Sequence, residues 1–220
     1  MNSIRLLVFA SGSETRGGSG FENLVNYYRN AGMTHLVPVA VVSNYEHGGV
    51  REKADRLGIK FIYFPGPFTP ENYHRIIEST GATHTALSGW IKLVRGHDPR
   101  TTFNIHPGPF PRFKGRGMYG IHVHEAVLGA FKRGEITHSA VTMHFVSVAE
   151  DATDYDMGPP IFTRSVEVLP DDTPQTLQHR VNEVEHQIQP LVTRLVIEGQ
   201  ISWDGVNPSS VHVPETWHMG

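Results

Sequence analysis

A chain of 220 residues with 39% hydrophobic and 19% charged side chains has the balance of one ordinary globular domain, long enough to bury a core and too short for two comfortable ones. Its formal net charge of -3 carries no polybasic excess to draw it to nucleic acid or an anionic membrane. The absence of cysteine excludes disulfide frameworks and thiolate zinc sites, and the apolar run at residues 4–10 is too short for a transmembrane helix and lacks the flanks of a signal peptide. The reading is a cytoplasmic protein with small-molecule partners. Its 14 histidines form no recognisable metal frame. His122 and His124, two apart, would point away from each other on a helix.

In chain order, residues 4–10 form an apolar strand, followed by a Gly/Ser-rich loop at 11–20. Phe21, Leu24, Val25 and Tyr28 then fall on one helical face. A second strand covers 37–42 and ends at Ser43-Asn44. A polar helix at 50–57 closes at Gly58, and a third strand covers 60–64. Thr69-Pro70 starts a helix over 71–79, with further strands at 83–87 and 102–106. Such alternation predicts βαβ units and a mostly parallel, doubly wound α/β sheet, whose ligands bind beyond the carboxyl ends of the strands.

The second half changes character. A helix at 120–131 leads to a β-branched run at 139–148, interrupted by His144 and Phe145, and to an alternating strand at 161–169. These two should pair antiparallel. Thr173-Pro174 caps a long helix through Leu177, Val181, Val184 and Ile188, which Pro190 kinks or divides before the pattern ends at Gly199. The tail at 207–220 has no periodicity and is expected to be irregular.

The most informative segment is 103–115, FNIHPGPFPRFKG. Two apart on a strand, Asn104 and His106 project from the same face, and Pro107 ends the ladder just beyond them. An amide donor beside an imidazole suits acyl transfer, one steadying an oxyanion and the other moving a proton. Taken alone, the pair reads equally well as a polar strand end at a turn. The glycine loop, with the helix start behind it, makes a plausible phosphate cradle or a plain solvated turn.

Several spaced segments together resemble the phosphoribosylglycinamide formyltransferases, a folate-dependent formyltransferase family. They are NIHP at 104–107, KGRGMYGIHVHEA at 114–126, HFV at 144–146, YDMGP at 155–159, DTP at 172–174, Arg180-Val181, Glu185-His186 and Pro190. The resemblance implies the formyltransferase fold over 1–206, with a ribotide-phosphate half to about residue 100 and a catalytic and folate half beyond it. It implies formyl transfer from 10-formyltetrahydrofolate to glycinamide ribonucleotide in purine synthesis, with no metal. Asn104 would polarise the formyl oxygen, His106 act as general acid, and Asp156 pair with the histidine and keep it protonated. A nearby carboxylate favours imidazolium. Asp151 and Asp154 are rival acids in the same loop.

By the same resemblance, Gly18, Ser19 and Gly20 would hold the ribotide phosphate, and Glu185 its ribose hydroxyls, with Asn182, Glu183 and Val184 beside it. Ile91, Lys92, Leu93 and Val94, with Asn104 and the loop Ala152, Thr153, Asp154, Tyr155 and Asp156, would form the folate wall. Three departures stand out: extra residues in the glycine loop, including Glu14 and Arg16; Lys92 where the family often has arginine; and the proline-rich run after His106. They leave open another acceptor, such as an amino sugar nucleotide, or a non-catalytic folate-binding relative. A tRNA formyltransferase or a deformylase would be expected to carry a further domain. A nucleotide-dependent oxidoreductase would need an acid where Ser43-Asn44 stands.

Overall fold

The computed structural model describes residues 4–215. Five strands, β1 (Leu6–Phe9), β2 (Ala40–Ser43), β3 (Lys60–Tyr63), β4 (His84–Ser88) and β5 (Thr102–His106), run parallel. Two more, β6 (His138–Phe145) and β7 (Pro160–Glu167), continue the sheet antiparallel, giving the order β3-β2-β1-β4-β5-β6-β7. The order reverses between β1 and β4, so the loops leaving these strands open the crevice where such sheets bind ligands. Every residue of β1 and β2 is buried, as their continuous apolar sequence requires of central parallel strands.

Helices α1 (Ser19–Asn30), α2 (Gly49–Leu57), α3 (Pro70–Thr80), α4 (Ile121–Lys132) and α5 (Pro174–Ile197) cover the sheet. Phe21, Leu24, Val25 and Tyr28 of α1 enter the larger core with α4, α5 and one face of the strands. A smaller core of Leu7, Phe9, Val42, Leu87 and Trp90 closes around Tyr73 of α3 on the other face. Asn104 is in register with Leu87, which puts it on that second face. No helix among the described residues is long and apolar enough to cross a membrane.

Two features refine the sequence expectation. Pro190 does not divide α5, which is one helix of 24 residues. Proline removes the N–H that would bond the carbonyl four residues earlier. That carbonyl, of His186, instead accepts a 2.7 Å bond from Asn23 Nδ2 on α1, and Tyr28 Oη donates to the Pro190 carbonyl at 2.8 Å. Secondly, the irregular tail is folded back as far as it is described. Ser202 bridges to His212, Trp203 Nε1 donates to the Asn207 carbonyl at 2.8 Å, and Val211 and Val213 pack on the main core. Residues 216–220 lie outside the described residues.

Replacing Asn23 by alanine should lower stability by about 1–2 kcal/mol, read as a shift in denaturant midpoint. In a Pro190→Ala background, where the backbone N–H returns, the same substitution should cost clearly less. Equal losses in both backgrounds would show that the bond does not substitute for the missing N–H.

Candidate active site

The strand pairing assembles most of the site. Asn104 and His106 leave β5 on one face, and Pro107 follows the last residue of the strand. Across the antiparallel pair, His144 lies opposite Asn104 and Thr142 opposite His106. The β6–β7 register slips between Met143 and His144, an irregularity that re-aims side chains beside it. Asn104 Nδ2 lies 3.1 Å from His144 Nε2. His144 Nδ1 is 2.7 Å from the Phe145 carbonyl, an acceptor only. That contact assigns a hydrogen to Nδ1.

The loop between β6 and β7 delivers the acid. Asp156 has a φ of 56°, the single positive φ of a non-glycine residue among the described residues. Aspartate is among the few side chains that tolerate this region. Two residues on, the chain crosses β6 so closely that a Cβ on Gly158 would lie 1.6 Å from the Phe145 carbonyl oxygen. Only glycine fits there, and the crossing fixes where Asp156 points. Its Oδ1 accepts from Asn104 Nδ2 at 3.1 Å and stands 3.4 Å from His144 Nε2. Its Oδ2 accepts the Gly115 N–H at 3.0 Å and stands 3.6 Å from His106 Nδ1. Lys114 Nζ donates to the Asp156 backbone carbonyl at 2.9 Å. Asp151 and Asp154 bond within their own turn.

Burial pushes the Asp156 carboxyl up, but the two histidines and the Gly115 N–H outweigh it and hold the group down at about 2. His106 is a closer contest. Its Nε2 is 2.6 Å from the Phe113 carbonyl and its Nδ1 faces the carboxylate, so both nitrogens meet acceptors and only imidazolium supplies two donors. Burial nevertheless dominates and pushes the ring below its ordinary value, with Asp156 and the Phe113 carbonyl pulling it back and His144 and Lys114 opposing them. Desolvation of a residue only 3% exposed thus opposes the carboxylate expected to keep the ring charged, and is the larger of the two effects. Behind it, burial and the neighbouring His106 lower His124 to about 4.

These groups border a cavity of about 1020 Å³, running from the glycine loop to α5. Of the residues expected at the ribotide, Gly18, Ser19, Gly20, Asn182 and Glu185 line it. Glu183 and Val184 do not: Glu183 is exposed beside His179, and Val184 packs on the core. A helix presents residues three and four apart to one side, so Asn182, Glu185, His186 and Gln189 face the cavity and the two between turn away. Burial raises the Glu185 carboxyl to about 7 despite a 3.0 Å bond from Asn182 Nδ2. On the folate side, Ile91, Lys92, Asn104, Tyr155 and Asp156 line the large cavity. Leu93, Val94 and Asp154 line an adjoining slot of about 30 Å³ with Leu87, Trp90, His144 and Val146. Ala152 and Thr153 are exposed and reach neither. Among the described residues, no group of three or more histidines and carboxylates is placed to hold a metal ion.

Residues 4–193 match the family described as formyl transferase. The chain belongs to that family. It is 32% identical to the chloroplastic phosphoribosylglycinamide formyltransferase of Arabidopsis thaliana and 33% identical to that of Vigna unguiculata, each over 92% of this chain. It spans 69% and 64% of those proteins' lengths. Glycinamide ribonucleotide transformylase 1 of Symbiobacterium toebii superposes with a TM-score of 0.76 at 26% identity, over 96% of this chain and 94% of that one.

For a formyl transferase, the residue that sequence reasoning missed is His144. It reads as an interruption of a strand, and only the register of β6 against β5 makes it a partner of Asn104. Helical spacing could also have found the polar stripe of α5, which sequence reasoning did not draw: Gln175, Gln178, Asn182, Glu185 and Gln189 recur at that spacing, and all line the cavity.

Asp156→Asn keeps a residue that tolerates the positive φ while removing the charge. It should lower the His106 pKa further in an NMR titration and reduce turnover on the order of a hundredfold or more, with ligand affinity changed far less. An unchanged titration would remove the electrostatic link between acid and ring.

Proposed function

We propose that this chain transfers the formyl group of 10-formyltetrahydrofolate to the primary amine of glycinamide ribonucleotide in purine synthesis, a reading supported by the name phosphoribosylglycinamide formyltransferase that its plant relatives carry. The observation that carries the reading is the convergence of Asn104, His106 and Asp156 on the wall of one cavity, midway between a glycine-rich helix start and a polar stripe of α5. The assignments below extend to the domain reading, with the ribotide-phosphate half in residues 1–100 and the catalytic and folate half in 101–206. We place the enzyme in the cytoplasm, with these small molecules as its partners.

The amine nitrogen attacks the formyl carbon, the carbonyl π pair moves to oxygen, and the C–N10 bond then breaks. One proton leaves the amine and one reaches N10, so the products are tetrahydrofolate and the formylated ribotide. Asn104 Nδ2 donates to Asp156 and lies 3.1 Å from His144 Nε2, and the formyl oxygen would take up one of its hydrogens. A buried imidazolium that holds its proton weakly is a strong acid for the departing nitrogen. Asp156 steadies that cation while it exists. Gly18, Ser19 and Gly20 would receive the phosphate, and Glu185 the ribose hydroxyls, with Asn182 orienting the carboxylate. The slot beside Trp90, Leu93 and Val94 is apolar and borders Asn104, which suits a pterin ring, but at about 30 Å³ it must open to admit one.

Formylation measured with purified protein should proceed with glycinamide ribonucleotide and fail with an amino sugar nucleotide. Preference for the sugar amine would reassign the acceptor and keep the chemistry.

Glu185 accepts hydroxyl hydrogens better as carboxylate, and with its pKa at about 7 the charged form grows from pH 6 to pH 8. The KM for the ribotide should therefore fall across that interval, and Glu185→Gln should flatten the profile. The phosphate's own titration near ~6 is common to both proteins and cancels in the comparison. Parallel profiles would place the ribose elsewhere.

A further inference from the structure

The glycine loop carries an arginine with no structural partner. Several other arginines are engaged, among them Arg100 with Asp98 at 2.7 Å, Arg194 with Glu198 at 3.0 Å and Arg180 with Asp172 at 2.7 Å, whereas Arg116, across the same cavity, is unpaired among the described residues like Arg16. The Arg16 side chain, exposed on the cavity wall beside Gly17–Gly20, has no hydrogen bond, ion pair or ring contact among the described residues. The loop's own carboxylate, Glu14, makes none either.

Its backbone, by contrast, is tightly fixed. The Ser13 N–H donates to the Arg16 carbonyl at 2.7 Å, and the Arg16 N–H donates back to Ser13 Oγ at 3.0 Å. The turn is pressed on the start of α2, where a Cβ on Gly48 would lie 2.3 Å from the Ser13 carbonyl oxygen and one on Gly49 2.7 Å from the Arg16 carbonyl carbon. A side chain at either position would lift the loop. The added residues of the loop are thus not slack, and they hold an exposed, unpartnered guanidinium at a fixed root on the cavity rim. Next to it, the stem of Lys53 runs beside Gly18, and its ammonium also lacks an acidic partner among the described residues.

We propose that Arg16 is a phosphate clamp that sets acceptor specificity, its guanidinium closing over a phosphomonoester seated against the N–H groups of Gly18, Ser19 and Gly20. The inference rests on the acceptor being a ribotide, but the chemistry it names is the terminal phosphate alone. Backbone N–H groups at a helix start supply neutral donors, whereas a guanidinium adds a full charge and a planar fork that matches two phosphate oxygens. An exposed arginine loses side-chain freedom on closing, and the fixed turn confines that loss to the side chain. Lys53 contributes at longer range, without the fork.

The test compares wild type with Arg16→Ala and Arg16→Lys, using glycinamide ribonucleotide and its dephosphorylated ribonucleoside as acceptors. Arg16→Ala should raise the KM for the ribotide about ten- to hundredfold and leave the KM for the folate in place, with the loss confined to the phosphorylated acceptor. Arg16→Lys should recover part of it. An equal loss on both acceptors, or no loss on either, overturns the clamp. Calorimetric titration with ribose 5-phosphate separates the two levels of the argument. Weakened binding in Arg16→Ala supports the clamp even if wild type fails to formylate the ribotide, which would overturn the acceptor assignment instead. Undiminished binding overturns the clamp whatever the acceptor.

Discussion

A single carboxylate organises the polar cluster at the tip of β5. Asp156 receives the Asn104 amide and the Gly115 N–H and stands against His106 and His144, so one anion positions every polar group at the tip of β5. Its own placement depends on backbone conformation rather than on side-chain packing. A positive φ at Asp156 and the close crossing at Gly158 turn a surface loop inward at one point. The loop is therefore constrained at two positions, and these set where the carboxylate points.

Burial and charge act against each other at the same spot. His106 is deep enough that desolvation favours its neutral form, yet each of its nitrogens faces an acceptor. The result is an imidazole that takes up a proton reluctantly and releases it readily. His124, packed behind it and depressed to about 4, stays neutral over the physiological range and adds no competing cation. At the other end of the cavity Glu185 shows the opposite sign, a carboxyl pushed up toward neutrality by burial with only Asn182 to offset it. Burial is the largest cause at both ends of the cavity, and it moves the base and the acid in opposite directions because it disfavours the charged form of each.

Much of the fold was legible because its signals are local. The apolar runs of β1 and β2, the Thr-Pro starts of α3 and α5, and the alternation of β7 each state an element within a few residues. Asn104 and His106 were legible as a pair for the same reason, since period two on a strand is a local rule. What escaped depends on contacts distant in sequence. His144 acquires meaning only from its register against β5. The continuity of α5 through Pro190 depends on a donor 163 residues away. The order of the tail depends on a bridge between Ser202 and His212 that no periodicity announces. Glu183 and Val184 were grouped with Glu185 by adjacency, where helical geometry turns them aside.

The bond from Asn23 to the His186 carbonyl has a consequence for selectivity. It joins α1 one turn beyond its amino end, which meets the glycine loop, to the turn of α5 that carries Glu185. The two ends of the cavity are thereby tied to each other directly, and the span between them would work as a gauge for the proposed acceptor. A molecule whose anionic group and hydroxyls are spaced differently would engage one end or the other but not both, and would be turned away without any side chain having to collide with it.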